Sequence, residues 1–367
     1  MTQRTTLAAF RRSIPALVLS LALFACSNGG SDDPSSSSTS SNSLLLNFTS
    51  DYTTGELRWM NPDSSRLSDG ALPFNQDSKV STAEGKIFLF ERNPGTLACI
   101  SSQNGDVKVT TQKRLDTDNP YEAAVIGSNG YIALNDADYI QVFSVSTCAP
   151  SEKIDLPTLE ENAPANASTI KASGDTLLLT LQRLENWSAT KPGLLVRINA
   201  KTKTLIDTIQ LNLYNPSSSV LSKGKLYVSL QGAYDPIDYS IDMTKTGIEV
   251  VDLATGTSEV LATGAELGGG AGGIALDEAN QILYATSVSA DWVTSVKPIN
   301  LASKTIGSTL PDILNVSGGI VFDKAGKKLF IGDKEGLKVY DTVAKKTTDI
   351  GNQDPLLKPY SLAIVNF

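Results

Sequence analysis

The chain has 367 residues, 41% hydrophobic and 19% charged, with a formal net charge of −8 and no histidine at all. That length allows two ordinary domains or one large all-β domain of globular composition. The acidity disfavours nucleic acid, whose phosphates need clustered Lys and Arg, and suits a neutral or cationic ligand. The missing histidine removes Ser-His-Asp triads, imidazole metal sites and the commonest general base.

In chain order, the first element reads as an export signal. Arg4, Arg11 and Arg12 make a positive start, and Ile14 to Ala25 make a short apolar run. A membrane-spanning helix needs about 20 such residues, so the run is too short to stay as one. It ends in Leu23-Phe24-Ala25-Cys26, which resembles the lipobox of bacterial lipoproteins and departs from it at Phe24, where a small residue is usual. The resemblance implies cleavage before Cys26 and a lipid anchor on its sulfur, in the cell envelope. Ser27, where enterobacterial lipoproteins kept at the inner membrane carry aspartate, points by the same resemblance to the outer membrane, periplasmic or surface-facing. Ser27 to Ser43 has almost no apolar side chain to offset ordering entropy, so a disordered tether is expected. The expected organisation is therefore signal peptide 1–25, lipidated linker 26–43 and a single domain 44–367.

From residue 44 the helical period is missing. Short runs rich in Val, Ile, Leu, Tyr and Thr alternate with Gly, Asn, Asp and Ser. A strand, a tight turn and a second strand recur from Lys79, Glu122, Ser168, Ser218, Gly272 and Gly318. A third strand and a polar turn follow, as in Gly247 to Gly256 and from Gly336, and then a fourth strand. Four antiparallel strands at a spacing of about 40 to 53 residues are the period of a propeller blade. Six units are complete. Residues 44–79 supply three strands with no inner one, and Pro359 to Phe367 supply an inner strand with nothing after it. Together they make a seventh blade, so the fold class expected is all-β, one seven-bladed β-propeller closed by its C-terminal strand, with eight blades as the alternative. The stretches Ile248-Glu-Val-Val-Asp-Leu-Ala-Thr-Gly256 and Leu337-Lys-Val-Tyr-Asp341 make the domain similar to YVTN-type propellers. Such propellers serve as binding platforms, scaffolds and occasionally enzymes.

Three consecutive blades carry long connections between their second and third strands: Leu181 to Gly193, Leu230 to Gly247 and Ser287 to Pro298. They hold Trp187, Trp292, Tyr234 and Tyr239 among Glu185, Asp235, Asp238, Asp242 and Asp291. Aromatic faces among carboxylates can stack on sugars, rings or cations, so these nine residues are the candidate ligand-binding set; cover for their own blades is the competing role. No catalytic set is evident. No cofactor is expected unless Asp235, Asp238 and Asp242 hold calcium, and their spacing departs from the EF-hand order. The glycine run at Gly268 to Gly273 lacks the Lys-Ser/Thr of a phosphate loop and reads instead as close backbone approach beside the channel. Cys99 and Cys148 remain after lipidation of Cys26; a disulfide and two separate thiols are both open.

These readings favour a non-catalytic, monomeric binding or scaffold platform for a protein, glycan or small molecule, held to the membrane through Cys26 and without a nucleic-acid partner. A lactonase-like or quinone-dependent propeller enzyme, and a structural part of an outer-membrane assembly, are the alternatives.

Overall fold

The computed structural model describes residues 43–367 except 104, 118, 157–164, 187, 236, 239, 314 and 352–353. The readings on the export signal, Cys26 and all but the last residue of the linker lie outside the described residues, as do Trp187 and Tyr239.

Seven four-stranded antiparallel sheets form the ring expected from the repeats. Blade 1 is the split one: Ser43–Ser50, Gly55–Met60 and Leu72–Phe74 are completed by Lys358–Asn366, which pairs antiparallel with Ser43–Ser50. Ser43, assigned to the linker by composition, is thus the first residue of a strand. Blades 2 to 7 follow in order, spanning 78–114, 120–155, 167–214, 216–263, 270–306 and 316–351. Each innermost strand packs against that of the next blade, and the last of them, Val316–Asp323, meets Lys358–Asn366, which in turn meets Ser78–Ala83. The ring is closed, and each innermost strand, paired on one side only, borders the central channel with its other edge.

Burial follows the position of each strand. Lys86–Glu91 in blade 2 buries four consecutive residues, Ile87 to Phe90, because neighbouring blades cover both faces of a second strand. The fourth strand of the same blade, Asp106–Arg114, is mostly exposed and buries only Val107. Seven apolar clusters result, each lying between two adjacent blades. The cluster between blades 7 and 1 packs Phe330 and Leu337 against Leu45, Met60 and Leu362, so closure is built from core as well as from backbone pairing.

The polar turn between third and fourth strands is held by an Asp or Asn side chain in several blades. Asp252 accepts hydrogen bonds from Ala254 and Thr255 N–H, and Asp341 does the same for Val343 and Ala344. Asn199 and Asn300 play this part in blades 4 and 6. Four residues on from each, the chain needs a positive φ, supplied by Lys203, Gly256, Lys304 and Lys345. In blade 3 that position is Cys148, with φ of 58°. Its sulfur is bonded to Cys99 on the third strand of blade 2, with the Cα atoms 6.0 Å apart.

Glu249 is fully buried on the third strand of blade 5, yet its carboxylate is well provided for. It accepts from the backbone N–H groups of Asn212 (2.9 Å) and Leu213 (2.6 Å), on the fourth strand of blade 4, and from the Ser258 hydroxyl (2.5 Å). A buried carboxylate is tolerated when hydrogen bonds replace its water, and this one ties two blades together.

Candidate functional site

In an antiparallel blade the connections from second to third strand, and from each blade to the next, leave at the same end of the sheet. The three long connections therefore all open on one face of the ring, from blades 4, 5 and 6.

The blade 4 connection folds into a short hairpin, Leu184–Glu185 against Ser188–Ala189, which places Glu185 exposed beside its turn. The blade 5 connection is a second, irregular hairpin: Tyr234 bridges Ile241, Asp235 N–H donates to Ser240 O, and Asp242 N–H donates to Ala233 O. Its base is clasped by Thr246, fully buried, whose hydroxyl donates to Leu230 O and accepts from Ala271 N–H on the inner strand of blade 6. The loop of blade 5 is thereby fixed to blade 6. Gly269 completes the contact: a Cβ there would lie 2.2 Å from Val288 O. The glycine run thus allows close backbone approach as expected, against the blade 6 connection on the open face.

The carboxylates of the blade 5 loop are engaged locally. Asp235 accepts from Ile237 and Asp238 N–H, Asp238 from Ser240 N–H, and Asp242 from the N–H and hydroxyl of Thr244. These bonds hold the Asp238 and Asp242 carboxyls below the usual range, the Ser240 and Thr244 side chains contributing most. Burial pushes the Tyr234 phenol up. Asp242 also pairs with Lys245 at 3.3 Å. Among the described residues no group of three or more His, Cys, Asp or Glu is arranged to hold a metal ion.

Between the blade 5 and blade 6 connections lies a cleft of about 370 Å³, lined by Asp238, Ser240, Ile241, Met243, Val288 and Trp292 among others. Trp292 is 56% exposed and sits at φ of 60°, a conformation a bulky side chain rarely adopts. Local bonds impose it: Trp292 N–H donates to Ser289 O, and Val293 N–H donates to the Ser289 hydroxyl. The structure therefore brings Asp238 and Trp292 to one cleft, with Tyr234, Asp235 and Asp242 in the loop that forms its wall. Asp291 is exposed next to Trp292. Glu185 belongs to the separate hairpin of blade 4 and does not line this cleft.

A second polar cluster, which the sequence reading did not single out, stands at the channel entrance on blades 1 to 3. Arg92 donates to Asp77 and to the Tyr360 hydroxyl (2.9 Å), and that hydroxyl donates to Asp77 (2.9 Å). The Arg92 guanidinium and the Lys79 amine lie 5.2 and 5.1 Å from the centre of the Tyr121 ring. Inside the channel Glu122 accepts from Ile170 N–H (2.8 Å) and from Lys171 (2.5 Å). The signal was present in the sequence as Pro120-Tyr121 and Pro359-Tyr360, the same pair at the start of an inner strand.

The fold and its open face define the class as a β-propeller. No family model matches the sequence, and no curated protein matches it either. Solved structures do. A functionally unknown protein from Desulfotomaculum acetoxidans superposes with a TM-score of 0.62 at 13% identity, over 88% of this chain and 99% of its own. A candidate 6-phosphogluconolactonase from Bacteroides fragilis gives 0.59 at 15% identity, over 91% and 100%. Apo AztD from Citrobacter koseri gives 0.55 at 13% identity, over 88% and 98%. Likeness at this level of identity establishes the fold alone.

Proposed function

We infer that the protein is an envelope lipoprotein, anchored through Cys26, whose propeller holds a ligand without transforming it. The observation that carries the reading is the cleft between the blade 5 and blade 6 connections. It is mainly apolar, with Trp292 exposed on one side and the Asp238 carboxylate on the other. Such a lining suits a flat ring, aromatic or sugar, that stacks on the indole and donates a hydrogen bond to the carboxylate. The side chains around the cleft support gripping rather than chemistry, since the aspartates of the loop already accept the bonds that hold it in shape.

Anchoring is tested by fractionation: Cys26→Ser is expected to move the protein out of the membrane fraction, and retention there would overturn the anchor. Binding is tested by screening the full chain against glycans and metabolites, with substrate turnover followed in parallel. Trp292→Gly removes the indole and relieves a strained φ worth about 1 kcal/mol or more. It is expected to weaken any cleft ligand at least about tenfold while leaving thermal stability unchanged or raised. Undiminished binding, or conversion of the bound molecule, would contradict the reading.

A further inference from the structure

The central channel carries a charge opposite to that of the protein. Among the described residues three lysines, Lys79, Lys171 and Lys324, line it against a single acid, Glu122, with Lys324 paired outward to Glu278, in a chain whose formal charge is −8. Glu122 is engaged by the Lys171 amine and by Ile170 N–H, and makes no ion pair with Lys79. Among the described residues no carboxylate lies within 4.0 Å of the Lys79 amine, which sits over the Tyr121 ring instead. Burial in the channel pushes the Lys79 amine below its ordinary range; Glu122 opposes this, whereas Arg92 and Lys171 add to it. An uncompensated cation in such a place is costly, and an incoming anion would remove the cost.

The rest of the lining is of another kind. Blades 6 and 7 border the same space, which measures about 330 Å³, with Ile274, Leu276, Ile320 and Phe322, whose side chains are largely buried between blades and reach it only at their edges. A ligand that satisfies both sides has one charged end and one apolar end.

We propose that the channel binds a small carboxylate with an apolar body, its carboxylate meeting Lys79 and Lys171 and its body lying against the blade 6 and 7 strands. This site is separate from the Trp292 cleft and takes a ligand of opposite charge from the one that overall acidity favours.

Calorimetric titration of the full chain with benzoate, and separately with inorganic phosphate, tests the proposal. One benzoate per chain is expected to bind, and phosphate at least about tenfold more weakly because it leaves the apolar wall uncovered. Lys79→Met is expected to weaken benzoate at least about tenfold, while Trp292→Gly leaves it unchanged. Because Met removes an unpaired charge from a confined space, Lys79→Met is also expected to unfold at the same temperature or higher, which separates lost binding from lost structure. Absence of benzoate binding to the unaltered chain, equal binding to Lys79→Met, or phosphate binding as tightly as benzoate would each overturn it.

Discussion

A chain cut after Leu357, lacking the strand Lys358–Asn366, is expected to lose cooperative unfolding and to self-associate. The strand is the innermost of blade 1, and it pairs along the whole of Ser43–Ser50. Without it, Leu44 to Phe48 would present an apolar edge with free N–H and C=O groups, a template for pairing with another chain. Leu362 and Val365, 9% and 1% exposed, together contribute roughly 3–6 kcal/mol by burial alone. That is comparable to the whole margin of about 5–15 kcal/mol by which a domain is stable. The contacts between blade 7 and blade 1 would go as well, since Ser317 donates to Pro359 O and Leu362 belongs to the apolar cluster they share. Calorimetry and sedimentation of the shortened chain check this, and adding the missing segment as a peptide should restore a single transition. An unchanged transition without the strand would mean that the ring does not depend on its closure.

Reduction of the Cys99–Cys148 bond is expected to cost about 4 kcal/mol, the chain-entropy value for a loop of roughly 50 residues. The two residues are 49 positions apart and join the third strand of blade 2 to a turn of blade 3. Both sulfurs are buried, Cys148 at 1% exposure, so a reductant should act slowly on the folded protein and fast on the unfolded one. The turn adds a finer expectation. Cys148 occupies a positive φ that Gly256 occupies in blade 5. In a Cys99→Ala background, Cys148→Gly should therefore be more stable than Cys148→Ala, by about 1 kcal/mol. Denaturant unfolding with and without reductant reads both effects; identical midpoints would show that the two thiols are not joined in solution.

The architecture was legible because it repeats. A pattern such as Leu-Tyr-Val after a Gly- or Asn-containing turn, met six times, survives the degeneracy of any one copy, and the orphan strand at Pro359 to Phe367 had one blade left to complete. The turn after Asp252 was legible for a local reason, since an aspartate that accepts two N–H groups leaves its mark within five residues. Sites made between blades were less so. Lys79, Glu122 and Lys171 lie on three different inner strands, and each read alone is an ordinary polar residue in an alternating strand. Only closure of the ring turns them toward one space. The same reasoning left Cys99 and Cys148 open, because their separation depends on how two blades stack. The aspartates of the blade 5 loop show the converse: they suggested a ligand set, but an aspartate two or three residues before an unpaired N–H is also the usual support of a turn, and that is how they are engaged.

The most direct measurement of the binding reading uses the indole N–H signals of the full chain in a ¹H–¹⁵N spectrum, assigned by substitution of each tryptophan. Trp59 donates to Gly105 O at 2.8 Å, in the turn between the third and fourth strands of blade 2, on the face opposite the cleft. Titration with a ligand found by screening should shift the Trp292 signal in step with saturation and leave that of Trp59 in place. A saturating ligand that leaves the Trp292 signal unmoved would contradict the assignment of the cleft.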